Sequence, residues 1–290
     1  MWRSQNVIQF NRIASIQIGK IKGEGIEIKN LRLSFNVKKT GTEEFNDGNV
    51  SIYNLSESTR NKIKDLDDVL VIKAGYESLN NEQVIFVGNI TQINTLYDSK
   101  PDILTIIEAR DGVTSIRQLR LSVSYKNGTS AKKVLKDILN KTGLPLKNFE
   151  MSSIIDKQYV NGFSFVGMGR VLLNNVCLYL GLDWSIQNDE IKLQRTGMTD
   201  ETKIVQLSAS SGLIGSPERV LNISHKSKQK NAIKGWKIKS LLMPQIEPGN
   251  LIFVQSKEIP IGATFKVIEV HHIGDTHGND WTTEMVTVIL

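Results

Sequence analysis

One cysteine in 290 residues excludes an intramolecular disulfide framework and any metal centre built on clustered thiolates. Cys177 sits in the helically spaced apolar run Val171 to Leu180, where a buried free thiol is expected; no Cys-His pairing stands nearby. Long hydrophobic runs are also missing. No stretch approaches the length that crosses a bilayer, and Met1-Trp2-Arg3-Ser4-Gln5-Asn6-Val7 has no signal-peptide core, so a soluble, non-secreted protein is expected. Phosphate-loop chemistry is absent too: Gly162, Gly167 and Gly169 lack a following Lys-Ser/Thr and do not have dinucleotide-fingerprint spacing. Ser211-Gly212 and Gly215-Ser216-Pro217 form no Gly-x-Ser-x-Gly elbow. The carboxylate pairs Glu43-Glu44 and Asp67-Asp68 lie in or beside polar segments, a solvated setting and not a glycosidase cleft.

What remains is an ordinary globular composition, 40% hydrophobic and 23% charged, long enough for two or three domains. The net charge of +6 is unevenly placed. Arg219, Lys226, Lys228, Lys230, Lys234, Lys237 and Lys239 face only Glu218 within residues 218 to 240, so this stretch alone supplies +6. Only Trp236 accompanies the lysines, without the aromatic interleaving of a nucleic-acid binder. A partner-facing or solvated β-hairpin is the better reading, with Lys226, Lys228 and Lys230 on one strand face and Trp236 and Ile238 opposing Lys237 and Lys239.

Apolar periodicity divides the chain at about residues 125 and 195. From Ile13 to Asp111 the pattern is strands, among them Val69 to Ile72, Val84 to Val87 and Ile103 to Ile107. The alternation of Ile26 and Ile28 changes parity at Asn30 before Leu31, Leu33, Phe35 and Val37, which predicts a bulge in one long strand. One short helix, capped by Ser56 and carrying Ile63 and Leu66, interrupts them. In the middle, Ala131, Val134, Leu135, Ile138 and Leu139 define a helix capped by Thr129 or Ser130 and stopped by Gly143. A second helix, carrying Leu172, Leu173, Val176 and Leu180, is expected to begin near Ser164 and end at Gly181, followed by a hairpin turning at Gln187 to Glu190. After about residue 200 the strands return: Ile204 to Leu207, Leu251 to Val254, Phe265 to Val270 and Met285 to Ile289. The fold class expected is mainly β with a small α+β insertion: an antiparallel barrel over 1–125, the insertion over 126–195 and a second antiparallel barrel over 196–290. A faint echo between Phe86 to Ala109 and Phe265 to Val286 suggests duplication.

The one group with metal-ligand residue types is His271, His272, Asp275, His277 and Asp280. On a strand, His271 and His272 point to opposite faces, and Asp275, Gly278, Asn279 and Asp280 are what a hairpin turn requires for its own backbone. No catalytic, cofactor or metal site is therefore assigned. Trp184 is read as a core residue and not as a sugar-stacking platform.

Several motifs, taken in order, carry a resemblance. In the first half these are Ser51-Ile52-Tyr53-Asn54-Leu55-Ser56 with Thr59, Val84 to Ile90, and Ala109-Arg110-Asp111-Gly112. In the second they are Leu213-Ile214-Gly215-Ser216-Pro217, Leu242-Met243-Pro244, Ile246-Glu247-Pro248-Gly249 and the loop from His272 to Trp281. Together they resemble the central baseplate hub of contractile-tailed bacteriophages and phage-like particles. The resemblance implies two tube-protein-like barrels per chain and a homotrimer presenting six barrels to a sixfold tail tube, with threefold symmetry toward a central spike protein. It implies a structural virion protein and no enzyme, assembled in the bacterial cytoplasm, contacting tail tube protein, spike and other baseplate proteins, with viral DNA passing its lumen and no specific nucleic acid or membrane bound. Residues Lys226, Lys228, Lys230, Lys234, Trp236, Lys237 and Lys239 are the expected partner interface. Some tail-tip proteins resembling this hub carry a C-terminal peptidoglycan-degrading domain, for which no room is expected beyond Leu290. A cell-wall-binding module built on residues 126–195 is the other alternative.

Overall fold

A computed structural model describes residues 11–20, 25–63, 68–79, 82–97, 102–112, 116, 118–147, 149–196, 200–223 and 233–289. The first half holds β1 (Arg12–Gly19), β2 (Gly25–Ile28), β3 (Leu33–Thr40), β4 (Asp47–Tyr53), α1 (Glu57–Lys62), β5 (Val69–Tyr76), β6 (Gln83–Tyr97) and β7 (Ile103–Arg110). An insertion follows: β8 (Arg120–Tyr125), β9 (Thr129–Ser130), α2 (Ala131–Thr142), β10 (Leu146–Lys147), β11 (Gln158–Tyr159), β12 (Phe163–Met168), α3 (Gly169–Leu180), β13 (Leu182–Gln187) and β14 (Glu190–Arg195). The second half holds β15 (Asp200–Leu207), β16 (Leu213–Ile223), β17 (Ile233–Leu241), β18 (Asn250–Val254), β19 (Ala263–Asp275) and β20 (Trp281–Ile289).

The two halves repeat one strand order. The first reads β3-β4-β7-β6-β5-β1 and the second β16-β17-β20-β19-β18-β15, so each is built around a long hairpin, β6–β7 or β19–β20. Each long hairpin carries a register shift, between Ile90 and Gln92 in one and between Val267 and Glu269 in the other. Such shifts raise local twist and let a long strand curl around its core. One pairing departs from the expected all-antiparallel barrels: β1 is antiparallel to β5, whereas β15 runs parallel to β18. Nor are the halves separate sheets. The 13-residue β19 exceeds its β18 partner by enough that its N-terminal end pairs β18 while residues 269 to 275 pair β3, fusing both halves into one 13-stranded sheet.

Three apolar cores follow from this arrangement. Residues from Ile16 to Ala109 fill the first, joined by Leu242 and Trp281 from the second half. Trp281 packs edge-on against Phe35 at 5.4 Å and Tyr76 at 6.5 Å between ring centres. The insertion has its own core around Val134, Leu135, Ile138, Leu172, Leu173, Val176 and Trp184. Leu207, Ile238, Ile246, Phe265 and Met285 anchor the third.

Local signals behave as their chemistry predicts in most places. The Ser56 hydroxyl accepts from Thr59 N–H to cap α1, with Ile63 at its C-terminal end, and Ser130 accepts from Lys133 N–H to cap α2. Gly143 and Gly181 end α2 and α3 in the left-handed conformation. Two expectations are corrected. Asn30 takes φ 62, so the parity change is a turn separating β2 from β3, which pair different partners, and not a bulge within one strand. The second helix begins at Gly169 and not near Ser164, because Phe163 to Met168 alternates in and out and pairs with β8 as a two-stranded ribbon. Leu66 lies outside the described residues.

Candidate assembly interface and the joint behind it

β16 and β17, which flank the lysines at 226, 228 and 230, pair antiparallel on one edge of the large sheet. Trp236 and Ile238 turn toward the third core, Trp236 meeting Phe265 edge-on at 6.0 Å. Arg219, directly across the hairpin, places its guanidinium 5.1 Å from the Trp236 ring centre. Lys237 and Lys239 occupy the other face, where each ammonium lies 3.1 Å from a different oxygen of Glu284 on β20. Burial raises the Glu284 carboxyl, but hydrogen bonds from both lysines outweigh that and hold it below the usual carboxylate range. Two of the basic side chains are thus compensated within the chain, a pairing that the local +6 did not reveal. Lys226, Lys228 and Lys230 lie outside the described residues, and Lys234 is on β17 with its side chain outside them.

The histidine-aspartate block is the β19–β20 turn. His271 Nε2 lies 2.6 Å from Asn36 Oδ1, while His272 points the other way into the core, its Nδ1 2.9 Å from Thr283 Oγ1. Met243 N–H also donates to Thr283 Oγ1. Burial, with positive Lys39 nearby, pulls His272 down to about 3, so it is neutral. Asp275 accepts from His277 N–H and receives the Arg32 guanidinium at 2.8 Å. Arg12 donates to Gly278 O at 2.6 Å and lies over the Trp281 ring. Among the described residues no group of three or more His, Cys, Asp or Glu is placed to hold a metal ion. The turn is instead stapled by two arginines from the first half, which sequence reasoning passed over.

Sequence reasoning also missed a buried polar joint where the three parts meet. Lys39, on β3, has 1% exposure and lies 3.9 Å from Glu247, in the loop between β17 and β18. Glu247 accepts both oxygens' worth of contact from Lys147 of the insertion, at 2.9 and 2.8 Å. Lys192 donates to Pro248 O at 3.0 Å. Beside these, Asn46 donates through N–H and Nδ2 to Asp111 and through Nδ2 to Ile186 O, while Gln187 Nε2 donates to Thr40 O. Gly112 N–H donates to Asp189. Burial opposes ionisation throughout: Lys39 falls to about 8 despite Glu247, and Asp111 rises to about 8 despite its Asn46 donors. Burial raises Glu247 as well, yet the charges of Lys39 and Lys147 prevail and keep it below the usual range. A signal did exist: Lys39 continues the inward parity of Leu33, Phe35 and Val37, and a charge at a core position demands a partner.

No protein-family model and no curated protein sequence matches the chain. Solved structures do. The 43 kDa tail protein of prophage MuSo2 from Shewanella oneidensis superposes with a TM-score of 0.65 at 8% identity, over 94% of this chain and 96% of that one. A tail protein from Neisseria meningitidis MC58 gives 0.63 at 10% identity, over 96% of each chain. The fold is that of phage tail proteins. The E. coli c3393 protein, a type VI secretion component described as similar to T4 tail proteins gp27 and gp5, gives 0.60 at 11% identity over 95% of this chain and 76% of its own.

Proposed function

We propose that the chain is a structural virion protein, a trimeric baseplate hub that joins a sixfold tail tube to a threefold central spike. The observation that carries this reading is the repeated strand order: two equivalent β units in one chain turn three copies into six similar units. Near-complete coverage of two phage tail proteins supports it at the level of fold. Its place is then the tail baseplate, assembled in the bacterial cytoplasm, with copies of itself, tube protein, spike and other baseplate proteins as partners, and the lumen passing viral DNA. The work is mechanical and not enzymatic. Residues 1–125, 126–195 and 196–290 serve as first tube-like unit, insertion and second tube-like unit, and the basic hairpin carries Lys226, Lys228, Lys230 and Lys234 toward a neighbour.

The cell-wall alternative loses its main platform, because Trp184 is 4% exposed in the insertion core. Light scattering on the purified chain tests the hub reading. The expected mass is three times 32.5 kDa for the chain alone, or that mass plus the bound tube protein where assembly needs it. A monomer that stays monomeric with tube protein, and sediments with purified cell wall, would overturn it.

A further inference from the structure

A small cavity lies behind the buried joint, where the β13–β14 hairpin of the insertion meets β19 and the chain at Pro248 and Gly249. Its volume is about 30 Å³, room for a small ion or a water or two and not for an organic ligand. Two lysines reach it from different parts of the molecule. Lys192, on β14, is 8% exposed and donates to Pro248 O at 3.0 Å, and Lys266 comes from β19. Their ammonium groups act on each other. Burial lowers the Lys266 proton affinity, the Asp183 carboxylate restores part of it, and the charge of Lys192 lowers it again.

Negative charge is scarcer. Among the described residues Asp183 is the one carboxylate in the lining, and it also accepts from the Thr196 hydroxyl. Glu247, in the adjoining joint, is drawn on by Lys39 and Lys147 ahead of Lys192. The cavity walls thus carry two positive charges against one negative, in a place where burial makes an unneutralised charge costly. Gln194 adds a donor. Its Nε2 is buried with no acceptor among the described residues, while its Oε1 and the Lys192 Nζ close on Gly249, 3.1 and 3.3 Å from where a Cβ would stand. Water could satisfy the carboxamide, but it brings no charge to set between the ammonium groups, and a cation would be repelled by both.

We infer that this cavity binds one small monovalent anion of the halide class, held by Lys192, Lys266 and the Gln194 carboxamide. A single negative charge matches the excess of one on the walls, where a dianion would overshoot it. Because the ligands come from the insertion and from the second half, the anion ties the two together beside the Glu247 joint.

Bromide is the probe, on the full chain, and the outcome does not depend on whether the chain forms a hub. Crystals soaked in sodium bromide should show an anomalous peak in the cavity, beside Gln194 Nε2 and the two ammonium groups. In solution, the melting temperature should rise with sodium bromide by more than with sodium gluconate at equal ionic strength, because a ligand held only by the folded chain stabilises it. Gln194→Leu, at a half-buried position, should weaken the bromide affinity derived from that rise about tenfold, the worth of one hydrogen bond to a charged group. Lys266→Gln should abolish the bromide-specific rise, whereas Lys257→Gln, the same loss of charge at an exposed site, should leave it unchanged. Water density without an anomalous peak, a peak at soaking concentration with no bromide-specific rise in solution, or a rise that Gln194→Leu and Lys266→Gln leave unaltered would overturn the assignment.

Discussion

Two buried titratable groups pull stability in opposite directions as pH changes. His272 takes a proton only near pH 3 in the fold, against 6.5 when free, so the unfolded chain binds more protons across that window. Its contribution is therefore lost as pH falls from about 6.5 toward 3. Asp111 stands at about 8 against 3.8, so the fold holds the extra proton, and its contribution is lost as pH rises from about 4 to 8. Melting temperature measured against pH should show a shallower acid limb in His272→Gln and a flatter decline from pH 4 to 8 in Asp111→Asn. Packing makes an independent demand two residues along β19 from His272. A Cβ on Gly274 would stand 2.3 Å from the Phe35 ring and 2.9 Å from Trp281. Gly274→Ala should thus lower stability by about 1–3 kcal/mol in urea titration, by forcing the Phe35–Trp281 contact apart.

At the scale of elements, the joint decides whether the insertion moves with the sheet. Glu247 faces Lys39 from β3 and Lys147 from β10, so one carboxylate links all three parts. Glu247→Gln leaves Lys39 buried without its counter-charge, a loss of about 3–5 kcal/mol for a broken buried pair. Hydrogen exchange should then rise in β10, β13 and β14 before it rises in β4 and β7; uniform acceleration would mean that the joint does not hold the insertion separately. Most elements around this joint were legible from periodicity and caps, because α2, the β13–β14 hairpin and β18 to β20 announce themselves locally. The joint was not, since its partners lie far apart in sequence, 56 residues for Lys192 and Pro248 and 140 for Asn46 and Ile186. The parallel β15–β18 pairing and the β3–β19 fusion were equally hidden, because strand alternation fixes which face is buried and not which strand lies alongside.

For the whole molecule, charge near the basic hairpin is less uniform than its composition implies. The one carboxylate of Glu284 offsets half of the charge of Lys237 and Lys239 from within the chain, so together these two present about one positive charge toward a partner. If the hairpin guides assembly, most of the guiding charge resides in Lys226, Lys228, Lys230 and Lys234, the first three of which an extended strand would place on one face. Reversing all three to Glu is then expected to block tube attachment, scored by electron microscopy of particles, while Lys237→Gln with Lys239→Gln leaves most particles intact. Raising salt should slow assembly of the unaltered protein, because steering between exposed charges is screened beyond about 10 Å at 0.1 M ionic strength. Normal attachment with all three charges reversed would remove the hairpin from the interface.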